Sequence, residues 1–227
     1  MNIDRKQLKD LLDQSGWVRN LTGEELKRIH RETIVRDIPA NSLVCRKGET
    51  VDSWVGVIDG IVKIASVSFD GKAVTFTGIP AGAWLGEGSL LKDESRRYDV
   101  VAIRDSRIAY MPRATFHRLM DSSIAFNRFL LTQLNERLGQ FIAMVEFERL
   151  LGPDARVARC LAQMFNPVLF PGNNRRLDIS QQEIGFLTGL SRQRVNRALK
   201  ALESKGLLAV EYGAIVIRDL AGLQGYE

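Results

Sequence analysis

Cysteine and histidine are scarce in this chain of 227 residues, with two of each. Cys45 and Cys160 lie far apart and form no C-x-x-C, so neither a disulfide framework nor a metal-ligand cluster is expected. Long apolar runs are missing too: none approaches the roughly 18 residues that mark a membrane-spanning helix. The amino-terminal stretch, MNIDRKQLKDLLDQSGW, is charged and amphipathic and does not read as a secretory signal. A nucleophile–base pair, a metal motif and a Walker loop are absent, as are internal repeats and low-complexity tracts. These absences point away from disulfide scaffolds, membrane proteins and the enzyme classes that carry such motifs. They leave a protein of the cytoplasm.

What is present is ordinary in bulk. Apolar residues make up 45% and charged residues 26%, with a net charge of +5 and a pI near 9.4. That is enough chain for one large or two ordinary domains. The mild basic excess is compatible with a polyanionic partner once its charges are located.

The hydrophobic period divides the chain. Residues 1–32 show helical spacing in LKDLLDQ and LTGEELKRIHRE, with Thr22 and Glu25 forming a capping-box pattern. From about Thr33 to Tyr110 the period falls to two. Short Val-, Ile-, Phe- and Thr-rich runs are broken by turns at IPANS, RKGET, IDG, FDGK, IPAGA and IRDS. Asp70-Gly71 between two such runs is a hairpin signal, and the whole reads as a sandwich or barrel of roughly eight strands. At Pro112 the helical period returns, with a short helix PRATFHRLM and then a long one over about 123–151. Leu131, Leu134, Leu138, Phe141 and Val145 form a heptad seam on it. The seam serves either a buried helix face or a dimer coiled coil, and the spacing alone chooses neither. Gly152-Pro153 ends the helix and makes a hinge. A small unit follows: helix 154–165, a Pro-Gly-Asn-Asn loop, a short strand RLDI, two helices, and a ribbon LLAVEY-G-AIVIRD turning at Gly213.

The most informative stretch is residues 180–206, SQQEIGFLTGLSRQRVNRALKALESKG. Ser180 and Glu183 form a second capping box. Gly189 permits a tight turn, Ser191 is an N-cap, and Gly206 ends the helix that Ser191 begins. On that helix Val195, Leu199 and Leu202 share one face. Arg192, Gln193, Asn196, Arg197 and Lys200 share the other. Arg pairs bidentately with guanine, Gln and Asn with adenine, and further cations hold phosphates. Helix, turn, basic helix and ribbon together make a winged helix-turn-helix that reads double-stranded DNA. The competing reading is a solvated basic face. It leaves the capping box, the turn glycine, the interleaved amides and the ribbon unexplained.

The order of β-barrel, long helix, hinge and winged helix-turn-helix resembles the CRP/FNR family of bacterial transcription regulators. QQEIGFLTGLSRQRVNRALKALESKGLL is similar to that family's DNA-binding motif. Gly82-Ala-Trp-Leu-Gly86-Glu87 is similar to its effector cassette. The resemblance implies an α+β chain in three parts. An effector domain over 1–122 would be a double-stranded β-helix (jelly-roll) barrel. A dimerisation helix and hinge would span 123–152, and a DNA-binding domain 153–227. It implies a homodimer joined along the heptad seam, reading a pseudo-palindrome, with RNA polymerase as a further candidate partner. Ser191 and Arg192 match positions of phosphate and base contact, and Arg197 matches the family's late arginine. Gln193 stands where the best-known members carry Glu, which changes the expected half-site.

The resemblance also frames an effector pocket from Gly86, Glu87, Gly88, Arg97, Tyr98, Phe141 and Ile142. Glu87 matches the carboxylate that holds a cyclic-nucleotide ribose, and Arg97 the phosphate-binding arginine. Tyr98 replaces a small hydroxyl residue. Phe141 and Ile142 fall where cyclic-AMP binders carry hydroxyl residues reaching the base. Cyclic AMP is therefore the disfavoured effector, and the cofactor is left unnamed. The residue-level alternative for Glu87, Arg96 and Arg97 is an internal ion pair or surface charge. The cysteines that the family's iron–sulfur sensors need are absent, and His30 and His117 are too isolated to suggest haem. Two further readings stand beside an effector-controlled regulator: a constitutive DNA binder with a structural barrel, and an enzyme with a fused winged-helix domain.

Overall fold

The computed structural model describes residues 3–67, 69–71, 73–171 and 175–227. Most of the Pro-Gly-Asn-Asn loop expected after helix 154–165, Gly172 to Asn174, lies outside the described residues, as do both flanks of the Phe69-Asp70-Gly71 turn.

Helices α1 (Ile3–Gln14) and α2 (Gly23–Glu32) open the chain, joined by a 3-10 turn at Gly16–Asn20. The Thr22–Glu25 capping box closes reciprocally: Glu25 N–H donates to Thr22 Oγ1 and Thr22 N–H to Glu25 Oε2. Eight strands follow: β1 (Ile34–Ile38), β2 (Leu43–Cys45), β3 (Ser53–Asp59), β4 (Ile61–Val67), β5 (Ala73–Pro80), β6 (Trp84–Leu85), β7 (Asp99–Ala102) and β8 (Ser106–Pro112). They form two antiparallel sheets, ordered β1-β8-β3-β6 and β2-β7-β4-β5, which is the expected jelly roll. The Asp70-Gly71 turn joins β4 and β5, with Gly71 at φ +80° as a tight hairpin requires.

Alternation along the strands builds the interior. Val55 and Val57 of β3, Val62 and Ile64 of β4, Val100 and Ala102 of β7 and Ile108 of β8 are buried together between the sheets. The other face of β3 is covered as well. Trp54 packs there among Trp17, Trp84, Phe116 and Phe126, between the amino-terminal helices and the start of the long helix. Gly56 beside it admits Leu11 of α1 so closely that a Cβ would lie 2.9 Å from Leu11 Cδ2.

A short helix, α3 (Glu87–Lys92), interrupts the strands after β6. Gly86 enters it at φ +92°, and Gly88 lies inside it. Helix α4 (Arg113–Ser122) starts after Pro112. α5 (Ile124–Leu150) runs 27 residues, capped by Ser123. Phe126 and Leu130 of α5 are buried against the barrel, and Gln133 is buried with its Nε2 donating to the Val168 carbonyl at 2.6 Å.

The carboxy-terminal unit starts at Gly152, the N-cap of α6 (Pro153–Gln163), and continues through β9 (Arg176–Leu177), α7 (Gln181–Thr188), α8 (Arg192–Ser204), β10 (Leu208–Glu211), β11 (Ala214–Ile217) and α9 (Leu220–Gln224). Its sheet is ordered β10-β11-β9. The RLDI strand is shorter than its sequence run, because only Arg176 and Leu177 find partners on β11. Ile61 and Ile103 of the barrel are buried in the same apolar cluster as Leu161, Ile184, Leu187, Val195 and Leu202 of this unit. The barrel thus contributes two side chains to the core of the carboxy-terminal unit.

Candidate functional site

The helix-turn-helix assembles as its residue types dictate. The Ser180–Glu183 capping box starts α7, and Gly189 ends it at φ +67°. Gly185 lets the turn close onto α7: a Cβ there would stand 2.7 Å from the Leu190 carbonyl oxygen. Ser191 caps α8, its Oγ accepting from Arg194 N–H at 3.3 Å. Val195, Ala198, Leu199 and Leu202 are buried, which turns the opposite face outward. Arg192, Gln193, Arg197 and Lys200 are exposed there, with Ser191 at the leading end. Asn196 is half-buried, and its Nδ2 donates to Gln181 Oε1 at 3.1 Å, tying the two helices. Gln181, Arg192, Gln193, Asn196, Arg197 and Lys200 border one open concavity. A helix with guanidinium, amide and ammonium groups on one open face carries the chemistry for base edges and phosphates of a duplex.

The second constellation lies where the barrel meets α5. Glu87 is buried, and its carboxylate accepts from Arg137 Nε of α5 at 2.8 Å. The same guanidinium donates to the Trp84 carbonyl. Trp54 Nε1 approaches Glu87 Oε2 at 3.5 Å. With side-chain exposures of 5% and 14%, the Glu87–Arg137 pair is sheltered. A buried carboxylate needs such a partner.

The adjacent arginines part company. Arg96 is buried: its Nη2 donates to the Ser53 carbonyl at 2.9 Å, and its Nη1 lies against Gly86. Its backbone is pinned to the 46–49 loop, with Arg96 N–H donating to Glu49 O and Gly48 N–H donating to Arg96 O. Arg97 points out, its side chain 71% exposed and bonded to Glu94 at 2.7 Å. Bonds from Arg97 and Lys92 hold the Glu94 carboxyl down at about 2. Arg96, Arg97 and Tyr98 lie in the irregular run and bend that lead into β7 (Asp99–Ala102), with Arg96 buried, Arg97 exposed and Tyr98 half-buried. Tyr98 packs on the sandwich interior, and burial, reinforced by Glu87, raises its phenol pKa. The structure thus brings Glu87, Arg96, Tyr98 and Arg137 to one end of the barrel and leaves Arg97 outside. Arg137 was missed by the sequence reading, and nothing in helical periodicity marks it.

Phe141 and Ile142 lie beyond Arg137 on α5, both exposed. Leu131, Leu138 and Val145 are exposed too, and Leu134 is half-buried. Cys45 and Cys160 are free thiols, with burial pushing the first to about 11 and the second to about 12. Among the described residues no helix is long and apolar enough to cross a membrane, and no His, Cys, Asp and Glu group could hold a metal ion.

Comparison with known proteins gives two family matches. A cyclic nucleotide-binding domain matches residues 35–123, and a Crp-like helix-turn-helix domain matches residues 155–226. The chain is 28% identical over 183 residues to the cAMP-activated global transcriptional regulator CRP of Haemophilus influenzae, covering 79% of this chain and 81% of that one. It is 29% identical over 191 residues to the cAMP-activated global transcriptional regulator Vfr of Pseudomonas aeruginosa, covering 80% and 88%. Among solved structures, FixK2 of Bradyrhizobium japonicum shares the fold with a TM-score of 0.64 at 20% identity, covering 86% of this chain and 97% of that one. The c-di-GMP responsive global regulator CLP of Xanthomonas campestris does so with a TM-score of 0.58 at 23%, covering 86% and 99%. With both domain matches falling on the barrel and on the helix-turn-helix described above, the chain belongs to the CRP/FNR family of transcription regulators.

Proposed function

We propose that the protein acts in the cytoplasm as a homodimer that reads a pseudo-palindromic duplex with α8, under the control of a small effector in its barrel other than cyclic AMP. The observation that carries the DNA reading is the open face of Arg192, Gln193, Arg197 and Lys200, backed by buried Val195, Leu199 and Leu202. On this reading the protein is a binder and regulator and performs no catalysis.

The effector site is Glu87, Arg96, Tyr98 and Arg137, where an acidic group would meet Arg96. Phe141 and Ile142 offer an adenine no side-chain hydrogen bond, and each polar ligand atom left unpaired costs about 1–3 kcal/mol. One observation favours a second reading. The Glu87–Arg137 pair ties α5 to the barrel through the chain's own side chains, as a constitutive DNA binder would need. Operator binding by protein stripped of small molecules separates the two.

The experiment is selection of duplexes from a random pool by the purified protein. Inverted half-sites about one helical turn apart are expected. Arg192→Ala should then lose about 1–3 kcal/mol on the selected site and relax discrimination at one base pair of each half-site. Equal weakening on every sequence would restrict Arg192 to phosphate contact. An unchanged affinity would remove α8 from the interface.

A further inference from the structure

The two domains meet along α7, and the strongest tie is at its first turn. Arg104, in the turn between β7 and β8, donates from Nε to Glu183 Oε1 and from Nη2 to Glu183 Oε2, both at 3.0 Å. The side chains are 31% and 11% exposed. A two-bond guanidinium–carboxylate pair fixes an orientation as well as a distance. Glu183 is also the carboxylate of the α7 capping box, its Oε2 accepting from Ser180 N–H at 2.5 Å. Burial alone would raise its pKa, but the bonds from Arg104 and Ser180 hold it below the ordinary carboxylate value.

The rest of α7 continues the contact. Lys63 Nζ of β4 sits 5.1 Å from the centre of the Phe186 ring. Leu187 lies so close to Gly78 of β5 that a Cβ there would stand 2.9 Å from Leu187 Cδ1. α7 in turn carries α8 through the Asn196–Gln181 bond and the Gly185–Leu190 approach. The docking leaves Arg192, Gln193, Arg197 and Lys200 uncovered. It therefore orients the reading face and does not hide it.

We infer that Arg104 is a positioning residue for DNA binding: by clamping Glu183 it sets the angle and separation at which the two recognition helices of the dimer meet a duplex, without touching DNA itself. The inference rests on the dimeric DNA-binding reading above. Two half-sites one turn apart demand two α8 helices at one spacing. A domain free to swing about Leu151-Gly152 would have to be ordered on binding, which reduces affinity by the fraction of time it spends misaligned. Arg104 is also well placed to couple that alignment to the barrel. It lies six positions along the chain from Tyr98, with the strand β7 (Asp99–Ala102) between them. Arg96 and Tyr98 stand at the pocket end of β7 and Arg104 at the other.

The test uses the full chain and a duplex selected by the wild-type protein. Affinity is measured by fluorescence anisotropy on three probes: the full site, a single half-site, and the full site with its spacer changed by one base pair. The variants are Arg104→Ala, Glu183→Gln and both together; glutamine keeps the capping box. Each single variant is expected to bind the full site roughly tenfold more weakly, a fraction of what a charge-assisted bidentate pair can contribute. Half-site affinity should stay at the wild-type value, the penalty for the altered spacer should shrink, and the double variant should be no worse than the worse single one. Parallel loss on half-site and full site would overturn the proposal in favour of plain destabilisation, as would additive effects in the double variant. Tighter full-site binding by the variants would overturn it in the other direction, making the docked arrangement a restraint. A wild-type protein that selects no inverted repeat would instead remove the functional reading itself, and the inference with it.

Discussion

At the residue scale, the pocket end of the barrel turns on Arg137. Its guanidinium is the ion-pair partner of a carboxylate that is 4% exposed as a residue, and it bonds the Trp84 carbonyl as well. Replacing Arg137 with Ala leaves Glu87 buried and uncompensated, a change that costs about 3–5 kcal/mol where a buried pair is broken. Arg137→Ala should therefore lower the thermal midpoint markedly. The double variant Arg137→Leu with Glu87→Leu, which removes both charges, should recover most of the loss. A single variant as stable as wild type in calorimetry would mean that water reaches Glu87. Residue roles were legible in the sequence where a local rule fixes them. Ser180, Glu183, Ser191 and Gly189 carry their geometry in their own chemistry, and all four adopt it. Roles that depend on a partner far along the chain were not legible. Glu87 meets Arg137 across 50 residues and Arg104 meets Glu183 across 79, and no periodicity reports such pairs.

At the element scale, α5 is the unusual piece. Phe126 and Leu130 pack on the barrel, while Leu131, Leu138, Phe141, Ile142 and Val145 stay exposed along the same helix. Apolar residues exposed in a row along one helix mark an interaction face, and their heptad spacing suits a second copy of the same helix. Leu138 is 59% exposed in the single chain, so Leu138→Glu should leave each subunit folded while dissociating the proposed dimer. Sedimentation is expected to give the subunit mass, and circular dichroism an unchanged fold. A variant that sediments as wild type would place the interface elsewhere. The strands show how far pattern reasoning reaches at this scale. The period of two located the eight-stranded unit, and Asp70-Gly71 marked its hairpin. The α3 turn was invisible because six residues between Gly86 and Asp93 are too few to show a period.

At the scale of the whole molecule, side-chain bonds connect the proposed effector site, the long helix and the unit that carries α8. Arg137 joins Glu87 to α5, and Arg104, after β7, joins the barrel to α7. Any ligand that binds the pocket differently in two domain arrangements will shift the balance between them, by no more than that difference in affinity. Two relatives by sequence are named as cAMP-activated regulators, which makes cyclic AMP the first ligand to titrate. The residue types at the proposed site weigh against it. Tyr98 stands beside the buried Arg96, and Phe141 and Ile142 provide no hydrogen bonds for an adenine. Calorimetric titration with cyclic AMP is expected to give no saturable heat at micromolar concentrations. The indole emission should also stay constant, and Trp54, which approaches Glu87 and stacks on Trp84 at 4.4 Å, is the reporter nearest the pocket. Saturable micromolar binding with a change in emission would mean that Glu87 and Arg96 suffice and that the base is held without side-chain hydrogen bonds from Phe141 and Ile142. The Glu87–Arg137 pair would then have to rearrange or share its carboxylate with the ribose. DNA affinity measured with and without the nucleotide would show whether that rearrangement reaches Arg104.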